Sequence, residues 1–135
     1  MKDAKRILQL LNSDANITTS DELHYNIEHV KEYILGKSFY TFVYIEDKKI
    51  VGVVMANVFK IGKYAELYNI IVDSNYRKKG IAKKLSDYII NYLEKKKIKL
   101  IFLYTEENNH PAQNLFQKLK FRKGKKLYFY FREMK

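Results

Sequence analysis

The chain has 135 residues, 47% of them apolar and 15% aromatic, which is enough for one packed core. Lys and Arg number 26 against 15 Asp and Glu, a formal charge of +11 that favours anionic partners (nucleic acid, phosphorylated cofactors or acidic membrane) without choosing among them. Cysteine is absent, which excludes disulfides, thiolate zinc sites and a covalent cysteine intermediate. No apolar run reaches the roughly 18 residues of a spanning helix, and the opening residues are too short in apolar run for a signal peptide, so a soluble cytoplasmic protein is expected.

Residues 3–12, DAKRILQLLN, put Ile7, Leu8, Leu10 and Leu11 on one helical face. A loop over 13–19 follows. The run Thr19-Ser20-Asp21-Glu22 has the form of a capping box and predicts a second helix, in which Leu23, Ile27, Val30 and Ile34 recur at helical steps until Gly36 ends it. The pattern then turns to strands. FYTFVYIE (39–46) ends at an Asp47-Lys48-Lys49 turn, IVGVVMANVF (50–59) is its hairpin partner, and AELYNIIV (65–72) is apolar enough to lie centrally. A helix is predicted from Gly80 to Lys96, with Ile81, Leu85, Ile89, Tyr92 and Leu93 in one stripe. KLIFLYT (99–105) reads as a buried strand and Pro111 to Leu119 as a short helix with its proline early. LYFYFREM (127–134) reads as a last strand, with Tyr128, Phe129, Tyr130 and Phe131 alternating between core and outside. One proline and five glycines argue against a long linker. Residues 1–135 are therefore expected to form a single domain, a meander that turns into a β-α-β crossover. His24 and His29 stand five apart on the second helix, which is not one-face ligand spacing, and no metal site is expected.

The chemistry concentrates in VDSNYRKKGIAKKL (72–85), where a strand gives way to a helix. A helix N-terminus carries free N–H groups and a partial positive charge, so anions bind there without side-chain help. Gly80 lets the backbone approach a phosphate, Ala82 is small, and Arg77, Lys78 and Lys79 add charge at the mouth. A pyrophosphate matches this arrangement best. The same residues also read as an ordinary solvated strand-to-helix turn.

Two blocks tip the reading. Arg77-Lys78-Lys79-Gly80-Ile81-Ala82 resembles the Q/R-x-x-G-x-G/A acyl-CoA motif of the GNAT acetyltransferases, preceded by Val72-Asp73-Ser74-Asn75-Tyr76-Arg77 where the family favours V-x-P-x-Y-R. Downstream, the thirteen residues from Asn109 to Phe121 resemble the family's N-x-x-A-x-x-L-Y-x-K-x-G-F, with Phe116 for the usual tyrosine and Lys120 for the usual glycine. The resemblance covers residues 38–134 well and the N-terminal part loosely. It implies an α/β (α+β) fold with a mixed sheet of about six strands and about four helices, the family's first strand being missing here. The strand 65–72 would part from 99–105, and acetyl-CoA would lie in the gap. Backbone groups of Ile70, Ile71 and Val72 would pair with the pantetheine arm. Arg77, Lys78, Lys79, Gly80, Ile81 and Ala82 would hold the pyrophosphate, and Asn109 and Phe116 would belong to the cofactor site.

The implied reaction is direct transfer of the acetyl group to a primary amine in a ternary complex, with CoA as product. Glu66, at the start of the third strand, would be the general base, its pKa raised by partial burial. Phe116 has no proton to give, so the acid falls to Tyr104, with Tyr68 and Tyr128 as alternatives, or the thiolate leaves unassisted. Glu66, Glu106 and Glu107 would form an acidic patch if the acceptor is cationic. The acceptor is expected to be a small-molecule amine in preference to a protein amine, because the elements that build the family's acceptor site are short here. Neither nucleic acid nor membrane is expected as a partner, and the chain would act as a monomer or homodimer. Two rivals remain: a non-catalytic CoA-binding relative, suggested by Phe116, and a basic nucleic-acid-binding module, suggested by the +11 charge and interleaved aromatics.

Overall fold

The computed structural model describes residues 2–13 and 25–134. Two compact units divide the chain, Met1–Tyr104 and Thr105–Lys135. In the first, helices α1 (Lys2–Ser13) and α2 (Ile27–Leu35) precede strands β1 (Phe39–Glu46), β2 (Lys49–Phe59) and β3 (Tyr64–Val72). A short 3₁₀ turn at Ser74–Tyr76 leads to α3 (Ile81–Lys95), and β4 (Leu100–Phe102) closes the unit. The strand order is β1-β2-β3-β4. The first three strands are antiparallel, and β4 returns parallel to β3 through α3. The expected mixed sheet is present, with four strands among the described residues in place of about six.

The sheet is a middle layer. Strand β2 is covered on both faces, which is why Val51, Val53, Val54, Met55 and Ala56 form an unbroken buried run. On one face Ala4, Ile7, Leu10 and Leu11 of α1 and Val30 of α2 pack against Val53, Met55 and Ile71. On the other, α3 buries Ile81, Leu85, Ile89 and Leu93, the stripe its sequence predicts; Tyr92 sits at its rim against Phe42 and Tyr40. The first turns of α3 come very close to β2. A Cβ on Gly52 would lie 2.9 Å from Leu85 Cδ1 and 3.3 Å from Ile81 Cγ2. The β1–β2 hairpin turns on Asp47 and Lys48, both at positive φ (53° and 60°), the mirror-image turn whose twist suits a hairpin.

Three expectations change. Helix α2 begins at Ile27, not near Thr19. Asn26 is its extended N-cap, accepting from the N–H groups of Glu28 (3.0 Å) and His29 (3.1 Å), while His29 Nδ1 accepts from the Asn26 N–H (3.0 Å). The Thr19–Glu22 box, Leu23 and His24 lie outside the described residues. Strand β4 is three residues long and not buried: Leu100 is 61% exposed, because β4 lies at the sheet edge and, among the described residues, has only β3 beside it. Residues 127–134 form no strand. Their side chains still alternate, with Phe129 and Phe131 stacked at 5.9 Å, but alternation sets only the faces, and a strand also needs a paired neighbour, which they lack among the described residues.

The second unit contains α4 (His110–Lys118), one residue earlier at each end than predicted. Both α3 and α4 close the same way. A lysine in the left-handed region, Lys97 (φ 64°) or Lys120 (φ 67°), follows the C-cap. The next N–H reaches back to the helix, Ile98 to Leu93 O (3.1 Å) and Phe121 to Phe116 O (2.9 Å). This is the Schellman arrangement with lysine where glycine is usual.

Candidate functional site

Strands β3 and β4 pair over only three rows, Tyr64–Leu100, Ala65–Ile101 and Glu66–Phe102. Beyond Glu66, β3 runs on to Val72 without β4. The expected parting of the two strands therefore starts at Glu66. That row continues across the whole sheet as Phe39–Asn57–Glu66–Phe102. Tyr68, two residues along, points to the same face as Glu66, the face that carries α1 and α2. Burial, and then the Glu66 carboxylate, push the Tyr68 phenol up to about 12. Tyr33 on α2 is also pushed to about 12, first by burial and then by its neighbours Tyr25 and Glu32.

A bulge interrupts β3 just past this row. Val53 faces Ile71 and Met55 faces Tyr68, so Asn69 and Ile70 share the place opposite Val54. Asn69 takes φ 50°, a conformation asparagine tolerates better than most residues. Its Nδ2 donates to Tyr25 Oη (3.3 Å) and lies 4.0 Å from Met55 Sδ. Past the bulge Ile71 packs into the α1/α2 core, while Val72, paired with Gly52 on the α3 side, is buried on the other face.

After Val72 the chain is tied down in three ways. The Asp73 N–H donates to Val51 O (2.7 Å). The Asp73 carboxylate accepts from the Asn75 N–H (2.9 Å) and from Arg6 Nη2 (2.5 Å), while Arg6 Nε donates to Ile50 O (2.8 Å). These bonds hold the Asp73 carboxyl below the usual carboxylate range. Arg77 Nε donates to Val72 O (3.1 Å). The loop so anchored enters α3 through Lys78 (φ 63°) and Gly80 (φ 76°). Gly80 is the N-cap and offers no side-chain cap. The first helical bond runs from the Lys84 N–H to Gly80 O (3.0 Å), which leaves the N–H groups of Ile81, Ala82 and Lys83 for an outside acceptor. A Cβ on Gly80 would meet nothing within 4 Å. Glycine is there for its φ, and the space in front of it is open.

The basic side chains are less available than the sequence suggests. The Arg77 guanidinium faces Val72, Lys79 Nζ lies over the Tyr76 ring (5.2 Å), Lys83 pairs with Asp87 (2.8 Å), and Lys84 Nζ sits over Tyr44 (6.0 Å). What the helix entry turns outward is chiefly main chain, the N–H groups of an uncapped helix N-terminus.

In the second unit, Asn109 caps α4, its Oδ1 accepting from the Ala112 N–H (3.3 Å). Phe116 packs edge-on against Phe121 (6.1 Å), the apolar contact that goes with the helix-ending turn. The phenyl at this position thus has a local structural use. Glu107 pairs with Lys126. Tyr104, in the first unit, is 66% exposed and makes an edge contact with Phe102 (5.8 Å).

Asp73 and Asn69 carry no role in the sequence reading. A signal existed for each. Asp73-Ser74-Asn75 has the form of an Asx turn, and a lone asparagine inside an apolar strand marks a bulge.

The sequence model described as "Acetyltransferase (GNAT) family" matches residues 4–121. An N-alpha-acetyltransferase of Saccharolobus solfataricus is 30% identical, over 80% of this chain and 69% of that protein. Among solved structures, an aminoglycoside acetyltransferase from an uncultured soil metagenomic sample, in complex with sisomicin, superposes with a TM-score of 0.79 at 22% identity, covering 99% of this chain and 91% of that one. The ribosomal-protein-S18-alanine N-acetyltransferase from Escherichia coli gives 0.75 at 19% identity, covering 93% and 75%. With the parted strands, the glycine-led helix entry and a family match that runs through both, this chain belongs to the GNAT family of acetyltransferases.

Proposed function

We propose that the chain is an acetyl-CoA-dependent N-acetyltransferase that acts on a primary amine by direct attack in a ternary complex. The observation that carries the reading is the position of Glu66: it is the last paired residue before β3 leaves β4, and the freed arm leads straight to the glycine-capped start of α3. An anion seat and a carboxylate thus stand at the two ends of one strand.

Acetyl-CoA supplies an acyl carbon activated toward amines and a thiolate that departs. The residues at α3 fit its pyrophosphate, since open N–H donors face a space that no side chain of Gly80 fills. Ile70, Ile71 and Val72 would hold the pantetheine arm through main-chain groups, and an N–H near Ile71 or Val72 would serve the thioester oxygen. Glu66 takes the proton of the incoming ammonium, directly or through water. Burial and the Glu66 carboxylate push the Tyr68 phenol up to about 12, which makes it a weaker acid than an ordinary tyrosine. Tyr104 is largely solvated. A thiol with an ordinary pKa of about 8.5 leaves as thiolate without a donor.

The relatives' names, an N-alpha-acetyltransferase and an aminoglycoside acetyltransferase among them, support a primary amine as the acceptor class. No helix among the described residues is long and apolar enough to cross a membrane. The test is release of CoA thiol across an amine panel, with thermal shift by acetyl-CoA at low salt. Glu66→Gln should lower kcat about 10²–10⁴-fold and leave the acetyl-CoA KM unchanged. Undiminished turnover in that variant ends the assignment of the base, and no thermal shift with acetyl-CoA ends the cofactor assignment.

A further inference from the structure

Strand β1 is an outer strand of the sheet, and among the described residues no strand pairs with its far side. Ser38 O accepts from the Val58 N–H (2.8 Å), which sets the phase of the β1–β2 ladder. By alternation Tyr40, Phe42 and Tyr44 bond to β2, while Phe39, Thr41, Val43 and Ile45 turn their main-chain groups outward. The irregularity near Tyr44 places its extra residue, Val51, in β2, so β1 keeps this alternation to its end. The Phe39 N–H is taken up by Gly36 O (3.3 Å); among the described residues Thr41, Val43 and Ile45 have no such main-chain partner. The side chains beside this edge are apolar on both faces. On the α1/α2 side Val43 and Ile45 are 36% and 62% exposed. On the α3 side Phe42 meets Tyr88 (5.0 Å) and Tyr92 (5.1 Å) edge to face, and Tyr88 is 60% exposed. Open edges are ordinarily blunted by a lysine, a proline or a bulge in the edge strand itself. From Phe39 to Ile45 β1 carries no charge and no proline.

We infer that β1 is the interface of a symmetric dimer, in which the β1 strand of a second copy pairs antiparallel with it about a two-fold axis at Phe42. Outward groups must meet outward groups, so the register of such a pair shifts only in steps of two residues. With the axis at Phe42, Thr41 of each copy lies opposite Val43 of the other, and Phe39 opposite Ile45. On the α3 side Phe42 meets its own image and Tyr40 meets Tyr44, aromatic pairs of the kind that stabilise neighbouring strands. At each end Lys37 comes against Asp47, both exposed, and Ser38 against Glu46. A shift of two residues one way sets Lys37 against Ile45, and the other way against Lys49, a like charge. Glu46 adds a second sign of a missing neighbour: its Oε2 is buried and has no hydrogen-bond partner among the described residues. The Ser38 hydroxyl of the second copy stands opposite it in this register. A strand with a cation at one end, carboxylates at the other and rings between fits an inverted copy of itself, which is the self-complementarity an isologous interface requires. The sheet would then run unbroken through both copies. This goes beyond the acetyltransferase reading and does not depend on it.

The test is sedimentation equilibrium of the full chain over the micromolar range, with amide hydrogen exchange measured across the same concentrations. The chain should dimerise, and the amides of Thr41, Val43 and Ile45 should exchange more slowly as concentration rises. Val43→Lys, which puts a charge on the edge as blunted edges do, should abolish the dimer. Lys37→Glu and Asp47→Lys should each weaken it about tenfold, since the two-fold axis makes each contact occur twice. The double variant Lys37→Glu/Asp47→Lys should restore the affinity to within about threefold. The two residues lie at opposite ends of an eight-residue strand, more than about 20 Å apart, so a rescue within one copy is impossible. Leu100→Lys, on the opposite edge strand, should leave the dimer intact. Circular dichroism checks that each variant is folded, and if Val43→Lys is not, the charge reversals decide. A monomer at every concentration overturns the inference. So does a dimer that survives Val43→Lys or both single reversals, or one lost in Leu100→Lys. Protection of Thr41, Val43 and Ile45 that does not change with concentration, as a strand from the same copy would give, overturns it too.

Discussion

Asp73 is the joint between the sheet and the loop that enters α3, and removing it should have a measurable and pH-dependent cost. Asp73→Ala deletes two kinds of interaction: the carboxylate cap on the Asn75 N–H (2.9 Å), and the charge pairing with Arg6, to which the half-exposed Lys49 adds a weaker contact at 3.8 Å. A side-chain cap contributes about 1 kcal/mol. The Arg6–Asp73 side chains are 23% and 13% exposed, so the pair lies between a surface and a buried bridge, and about 1 kcal/mol remains for it after solvent screening. The expected loss is about 2 kcal/mol, roughly 6 °C in Tm. Asp73→Asn separates the two, since asparagine still caps, and should lose only about 1 kcal/mol. The folded-state carboxyl titrates below its ordinary value of about 3.9, so its contribution is complete above that value and fades as pH falls through the lower folded value. The gap between wild type and either variant should therefore be full at neutral pH and shrink below about pH 4. Urea denaturation at neutral and acid pH measures both. A neutral-pH loss under about 0.5 kcal/mol for Asp73→Ala, or a gap that does not narrow in acid, would refute this account of how the loop is held.

Three further expectations follow from packing and backbone geometry. Gly52→Ala forces a Cβ to 2.9 Å from Leu85 Cδ1, so it should destabilise by about 1–3 kcal/mol and shift α3, weakening acetyl-CoA binding as read by thermal shift. Tyr33 and Tyr68 should titrate near 12 in a spectrophotometric titration, and Glu66→Gln should lower the Tyr68 value. Because the folded phenols hold their protons longer than unfolded ones, stability should be intact below pH 10 and fall between about 10 and 12. Lys97→Gly relieves a left-handed lysine at φ 64° and should raise stability by about 0.5–1 kcal/mol, after allowance for the freer unfolded chain.

The parts of this molecule that local pattern controls could be read from the sequence. Helix α3 lies within one residue of its predicted limits because its apolar stripe, its glycine and its final lysines all agree. Strands β1 to β3 were legible because their alternation and turns are strong. The start of α2 at Ile27 was missed because its capping box, Asn26 with His29, lacks the glutamate or glutamine that marks such a box in sequence. The last segment misled for another reason: aromatic alternation is a property of one chain, and strand pairing is a property of two. Around the start of α3, glycine and lysine spacing located the helix entry and its free N–H groups. It could not say that the lysines there would lie against Tyr76, Asp87 and Tyr44. Nor could it place Phe39, Asn57, Glu66 and Phe102 in one row, since that needs the register of all four strands.

The parting of β3 from β4 means that the sheet has an edge in its interior. Edges are usually hazards, because unpaired N–H and C=O groups recruit strands from other chains. This one begins in a notch, with β4 alongside its first rows and a loop and helix at its far end. A protein strand would have to fit side chains on both faces beside β4 at the apex of such a notch. A slender chain with amide groups at strand-like spacing would need less width. The geometry that would shield the free edge from aggregation is thus also a filter by cross-section, admitting a ligand that completes the ladder as a strand would. A ligand held by those main-chain bonds would lend the folded state its binding energy by mass action, so cofactor and sheet would melt together.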